Sequence, residues 1–102
     1  MKLVTKEVKT KLPPLYSQED KGGKAIAHVK FFTLDANWTW YATEFDGDDT
    51  FFGLVEGHEK ELGYFSLREL QSVRGMMGLP IERDLYWSPK MLQEIVPEMF
   101  KD

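Results

Sequence analysis

Phe51 to Leu70 reads FFGLVEGHEKELGYFSLREL. Two apolar-aromatic runs, Phe51–Val55 and Leu62–Leu67, flank a charged, glycine-bearing connection from Glu56 to Glu61. That order is the sequence pattern of a β-hairpin with a longer loop. The second run leads into a helix start: Ser66 is placed to accept the Glu69 backbone N–H while the Glu69 side chain reaches back to Ser66. One stretch thus specifies two paired strands and a helix to cover them.

Working upstream, Asp46-Gly47-Asp48-Asp49 is a turn of the Asp-Gly kind. Before it, Trp38–Phe45 reads as a strand, with Trp38, Trp40 and Ala42 opposite Thr39, Tyr41 and Thr43. Leu34–Asn37 is a turn in which Asp35 and Asn37 can bond local backbone. Ala25–Thr33 is a further strand whose apolar set, Ala25, Ala27, Val29 and Phe31, marks its core face; His28 and Lys30 fall on the other. Earlier still, Thr5–Lys11 is a short helix burying Leu3, Val8 and Leu12, and Pro13-Pro14 ends it. Leu15 and Tyr16 read as an extended anchor, and Ser17–Lys24 as a polar, glycine-rich loop.

Downstream, the helix from Leu67 runs to about Val73, with Gly75 as its cap. Arg74–Pro80 is irregular, and Ile81–Trp87 is a short edge strand or extended segment. Ser88-Pro89 signals a last helix carrying Met91, Leu92, Ile95 and Val96, broken at Pro97. The expected fold is a single α+β domain over residues 1–102. Its sheet is a four-stranded, mainly antiparallel meander, Ala25–Thr33, Trp38–Phe45, Thr50–Val55 and Leu62–Phe65, covered by short helices. Ala27, Val29, Phe31, Phe65 and either Leu54 or Val55 should be buried.

Composition narrows the function classes. A chain of 102 residues with 42% apolar content has enough material for one core and is not a disordered segment. It holds no cysteine, which removes disulfides, thiolate metal sites and thiol nucleophiles. No apolar run approaches the roughly 18 residues of a membrane span, and the lysine-rich start lacks a signal-peptide apolar core. A soluble cytoplasmic protein is the expectation. The net charge of −4 is unevenly spread: residues 1–30 hold seven lysines against three acids, and the remainder is acidic. Only Lys2, Lys6, Lys9 and Lys11 could offer a phosphate backbone a basic face.

No motif for chemistry is complete. Glu56–Glu61 sets His58 among three carboxylates, but loop side chains splay into water and no ligand spacing is defined. Asp46–Asp49 lacks the ligand series of a calcium loop. His28 has no nucleophile tied to it. Gly22-Gly23 and Gly75–Gly78 match no phosphate-cradling fingerprint. No catalytic residue, metal site or cofactor is therefore assigned.

Two groups remain as candidate binding residues. Trp38, Trp40, Tyr41 and Tyr64 belong to an aromatic concentration that core packing accounts for in the main. Any of them left exposed would mark a contact surface. Arg74, Glu82, Arg83 and Asp84 would either pair to fasten the Arg74–Pro80 backbone to the sheet or line a polar cleft between sheet and helices.

Lys11-Leu12-Pro13-Pro14-Leu15-Tyr16, Lys30-Phe31-Phe32, Asn37–Tyr41, Phe51–Val55, Glu61–Leu67, Arg74-Gly75 and Gly78–Asp84 together resemble a small bacterial family known as domain of unknown function 2958. The likeness runs over nearly the whole chain. It implies a gene carried on plasmids, integrative elements and phages, and it implies no activity. The functional expectation is a non-enzymatic interaction module of a mobile element that binds a host or element-encoded protein. A nucleic-acid-binding module using the basic amino-terminal helix and sheet aromatics is the alternative. A small metal-dependent hydrolase or nuclease built on Glu82, Asp84 and His58 is the weakest reading.

Overall fold

The computed structural model describes residues 1–101. Helix α1 (Lys6–Lys11) is capped by the Thr5 hydroxyl, which accepts the Val8 N–H. A 3₁₀ segment (Glu19–Lys24) precedes strands β1 (Ile26–Ala27), β2 (Val29–Thr33), β3 (Thr39–Phe45), β4 (Thr50–Glu56) and β5 (Lys60–Ser66). Helix α2 (Leu67–Ser72) follows directly, then β6 (Ile81–Arg83), β7 (Lys90–Met91), the single-turn helix α3 (Leu92–Ile95) and a 3₁₀ turn (Pro97–Met99). Among the described residues no helix is long and apolar enough to cross a membrane.

The main sheet has five strands in the order β5-β4-β3-β2-β6, every neighbouring pair antiparallel. The meander is thus as expected for β2 to β5, but it carries a fifth strand. Ile81–Arg83 adds to the β2 edge through Phe31↔Arg83 and Thr33↔Ile81. The Ala25–Thr33 strand is also two strands. It breaks at His28, whose N–H donates to the Ala42 carbonyl, and the first half leaves the main sheet to pair with β7.

That break divides the core. Val29 and Phe31 pack with Trp40, Phe45, Phe51 and Phe65 beneath Leu3, Val8 and Leu12 of the amino-terminal segment and Leu70 of α2. Ala25 and Ala27 instead join Tyr41, Leu54, Leu92 and Val96 on the opposite face. All the expected core positions are buried, with Leu54 the buried member of the Leu54/Val55 alternative and Val55 half-buried. The sheet is therefore covered on both sides. Phe51 is the centre of the first layer, stacked on Phe45 and Phe65 with ring centroids 4.3 and 5.1 Å away and meeting Phe31 edge-on at 5.5 Å.

Three local readings are corrected. Ser17–Lys24 is not an open loop: Gln18 is buried, and its amide donates to the Ile26 and Thr43 carbonyls and accepts the Ile26 N–H. Tyr16 is not extended; its φ is +72°. The last helix begins at Leu92 rather than at Ser88-Pro89, because Lys90–Met91 is taken up as the partner of β1.

Candidate functional site: a methionine-tipped hairpin beside a tryptophan cleft

Helix α2 stops at Val73, whose N–H donates to the Glu69 carbonyl. Gly75 does not cap it. The chain instead turns back on itself: Arg74 forms an antiparallel bridge with Pro80, the Gly75 N–H donates to Leu79, and the Gly78 N–H donates to Gly75. Gly78 has φ +77°, a left-handed position just after the turn, as in hairpins whose turn is followed by a left-handed residue. Arg74–Pro80 is thus a small hairpin with Met76 and Met77 at its tip.

The hairpin is held from the β2–β3 turn. Asp35 Oδ2 accepts the Met77 N–H at 2.7 Å. Gly75 presses against the same carboxylate so closely that a Cβ would overlap it. Asp35 therefore acts at long range, not on local turn backbone. The Thr33 hydroxyl organises the turn, donating to the Ala36 carbonyl and accepting the Trp38 N–H. Held this way, Met76 is 95% exposed and Met77 80% exposed, with exposed Val73 and Leu79 in the adjoining chain.

A cleft of about 340 Å³ opens beside the hairpin, walled by Trp38, Trp40, Val73 and Met76, with Arg74 at its edge. Trp38 and Trp40 stack with centroids 5.8 Å apart, and the His58 ring meets Trp38 edge-on at 5.6 Å. Trp40 is buried, while half-buried Trp38 extends the wall toward solvent. Arg74 spends one terminal nitrogen on the Gln71 and Val73 carbonyls at the end of α2 and remains exposed. A cation is favourable there, since it faces the negative end of the helix.

The remaining candidates lie elsewhere. Tyr41 is buried on the opposite face, 5.4 Å from the Trp87 ring and under the Lys30 ammonium. Burial, with Glu56 beside it, pushes its phenol up to about 12. Tyr64 is exposed on β5, at the far edge of the sheet. Among the described residues neither arginine pairs with a carboxylate to fasten the Arg74–Pro80 backbone; Asp35 holds it instead. Arg83 donates to the Lys2 and Leu3 carbonyls, clamping the amino-terminal segment to β6. Asp84 sits 3.8 Å from the Lys30 ammonium and accepts the Tyr86 N–H. Glu82 is half-buried opposite Phe32.

Arg83 and Asp84 line a polar cleft of about 230 Å³ with His28. Burial, with Lys21 nearby, holds the His28 imidazole below its ordinary pKa. His58 does not approach Glu82 and Asp84: it stands in the β4–β5 turn against Trp38, whereas β6 is the opposite edge of the sheet. The hydrolase grouping has no common centre.

Of eight candidates, the cleft brings together Trp38, Trp40 and Arg74. The sequence pattern assigns Asp35 only a local turn role and does not single out Met76 and Met77 as a contact surface. The available signal was Gly75-Met76-Met77-Gly78, two large apolar residues between turn-forming glycines.

A family model described as "Protein of unknown function (DUF2958)" matches residues 3–95. No curated protein and no solved structure gives a significant match. The chain belongs to the DUF2958 family.

Proposed function

We propose that this chain is a protein-interaction module whose contact surface is the Met76–Met77 hairpin and the Trp38–Trp40 cleft beside it. The observation that carries the reading is two adjacent methionines, almost wholly in solvent, on a backbone that Asp35 holds in place. Flexible, polarisable thioethers adapt to varied apolar partners, and exposed apolar patches of this kind mark contact sites. The partner fits as an amphipathic segment with an apolar anchor for the cleft and an acidic residue for Arg74. The family resemblance to mobile-element genes favours a protein encoded by the host or by the same element, and a cytoplasmic setting.

The nucleic-acid alternative keeps the exposed lysines Lys2, Lys6, Lys9 and Lys11, but of the sheet aromatics it would use, Trp40 and Tyr41 are buried and Trp38 half-buried, which leaves Tyr64 exposed at the sheet edge. Capture from nuclease-treated lysate of a native host, by wild type and by Met76→Ser/Met77→Ser in parallel, tests the proposal. A protein retained by the wild type and lost by an equally stable variant supports it. Equal retention by both removes the hairpin from the interface.

A further inference from the structure

A second site lies on the opposite face of the sheet, and its centre is a buried carboxylate. Glu44 is only 3% exposed. Strict alternation along β3 would put it on the face of Trp40 and Ala42. A bulge between Ala42 and Glu44 shifts the register, so Phe45 takes that face and Glu44 turns to the other. Bulges commonly re-aim a side chain in this way. The two Glu44 oxygens accept the Tyr16 N–H at 2.8 Å and the Gln18 N–H at 2.7 Å.

Those bonds satisfy part of the carboxylate but bring no positive charge. The ion pairs among the described residues are Lys30–Asp84, Lys60–Glu98 and Arg68–Asp49, and Glu44 is in none of them. Buried carboxylates are ordinarily paired with a cation or a metal, because leaving water is costly for a lone charge. Glu44 instead lines a cavity of about 150 Å³ whose other walls include Tyr16, Tyr64, Phe52 and Leu62, with Glu19 also contributing.

Tyr16 adds an independent observation. It is the one non-glycine residue at positive φ among those described, a conformation that L side chains disfavour. Tyr16 is 62% exposed, so burial does not offset the strain, and Tyr64, which lines the same cavity, is 56% exposed. The compensation is polar: this turn brings the Tyr16 and Gln18 N–H groups onto Glu44 and sets the Tyr16 side chain at the cavity. The Tyr16 phenol next to it, with Glu19 and Glu44 adding negative charge, also holds the Tyr64 phenol above its ordinary pKa.

We infer that this pocket binds an alkylammonium or guanidinium group, with Glu44 as its counter-charge and Tyr16 and Tyr64 as aromatic walls. Aromatic faces attract cations, at exposed as well as shielded sites. The cavity has room for such a head group, and apolar Leu62 and Phe52 suit the alkyl stem. The site is separate from the hairpin and does not depend on it.

The test is NMR titration of the full chain, following the Tyr16 and Tyr64 ring signals. The probes are n-butylammonium, putrescine, N-acetyl-lysine methylamide and N-acetyl-arginine methylamide, with n-pentanol as a neutral control. Saturable shifts with at least one cation, and none with pentanol, are expected. Preference for the capped amino acids identifies a side chain on a partner protein; preference for the amines identifies a free small molecule. Glu44→Gln should weaken binding at least tenfold, and Tyr64→Ala, an exposed position that leaves the carboxylate intact, several-fold. Absence of saturable shifts with every cation overturns the inference, as does equal response to pentanol or unchanged affinity in Tyr64→Ala.

Discussion

The Asp35 carboxylate and Gly75 are in contact with no space for a side chain between them, and the same carboxylate accepts the Met77 N–H at 2.7 Å. The pair joins two turns 40 positions apart in the chain and fixes the direction in which the methionines project. Gly75→Ala forces the turns apart and should lower stability by about 1–3 kcal/mol, the usual cost of overpacking. Gly78→Ala meets open space but retains φ +77°; its cost should be about 1–2 kcal/mol, from backbone strain alone. Urea denaturation midpoints measure both. Only Gly75→Ala should also displace the Asp35 amide resonance.

The β5–α2 junction is built differently from a reciprocal capping box. Ser66 Oγ accepts the Glu69 N–H at 3.3 Å, but it donates to Asp49 Oδ2 at 2.7 Å. Asp49 also takes the Arg68 N–H on Oδ1 and the Leu67 N–H on its carbonyl. Asp49 therefore does the work expected of Glu69. Ser66→Ala and Asp49→Ala should each cost about 0.5–2 kcal/mol and be non-additive. Glu69→Ala should stay within about 0.5 kcal/mol of wild type.

In the core, Phe51→Ala should cost about 3–5 kcal/mol, because it empties the centre of four packed rings. Phe52→Ala should cost much less. Phe52 points to the other face, is only half-buried, and meets the Tyr64 ring edge-on at 4.9 Å. Thermal unfolding of the two variants checks the assignment of faces on β4.

Acid should loosen the β3–β4 turn. Asp46 is held below its ordinary 3.8 chiefly by the Asp48 N–H, with those of Asp49 and Thr50. Asp49 is held down chiefly by the Ser66 hydroxyl, then by the Arg68 N–H. The unfolded chain takes up these protons first as pH falls. The stabilisation is complete above the ordinary carboxylate value and disappears as pH drops through the lower folded-state values. Asp46→Ala/Asp49→Ala should be less stable than wild type at neutral pH and should lose less stability below about pH 4, read from denaturation midpoints across pH.

The antiparallel meander was legible because Phe51–Leu70 pairs alternating apolar runs with an unambiguous turn and helix start. Two features escaped the period-two pattern. The break at His28 sends Ala27 and Val29 to opposite faces although both fit one apolar alternation. The bulge near Thr43 rotates Glu44 into a pocket that alternation could not reveal. Both depend on pairing partners distant in the chain: β7 for Ala27, and the Tyr16–Gln18 backbone for Glu44. The site was legible in Trp38, Trp40 and Arg74. Its tip was not, because the direction in which the Gly75–Gly78 turn projects is set by Asp35, distant in the chain.

The most direct test of the interaction surface is calorimetric titration of the captured partner with wild type and with Met76→Ser/Met77→Ser, each at low and high salt. At least thirtyfold weaker binding by the variant is predicted, equivalent to about 2 kcal/mol at an interface anchor, with unchanged thermal stability and little salt dependence in the wild type. Equal affinity of the two proteins, or tight and salt-sensitive binding of nucleic acid by the wild type, would contradict it.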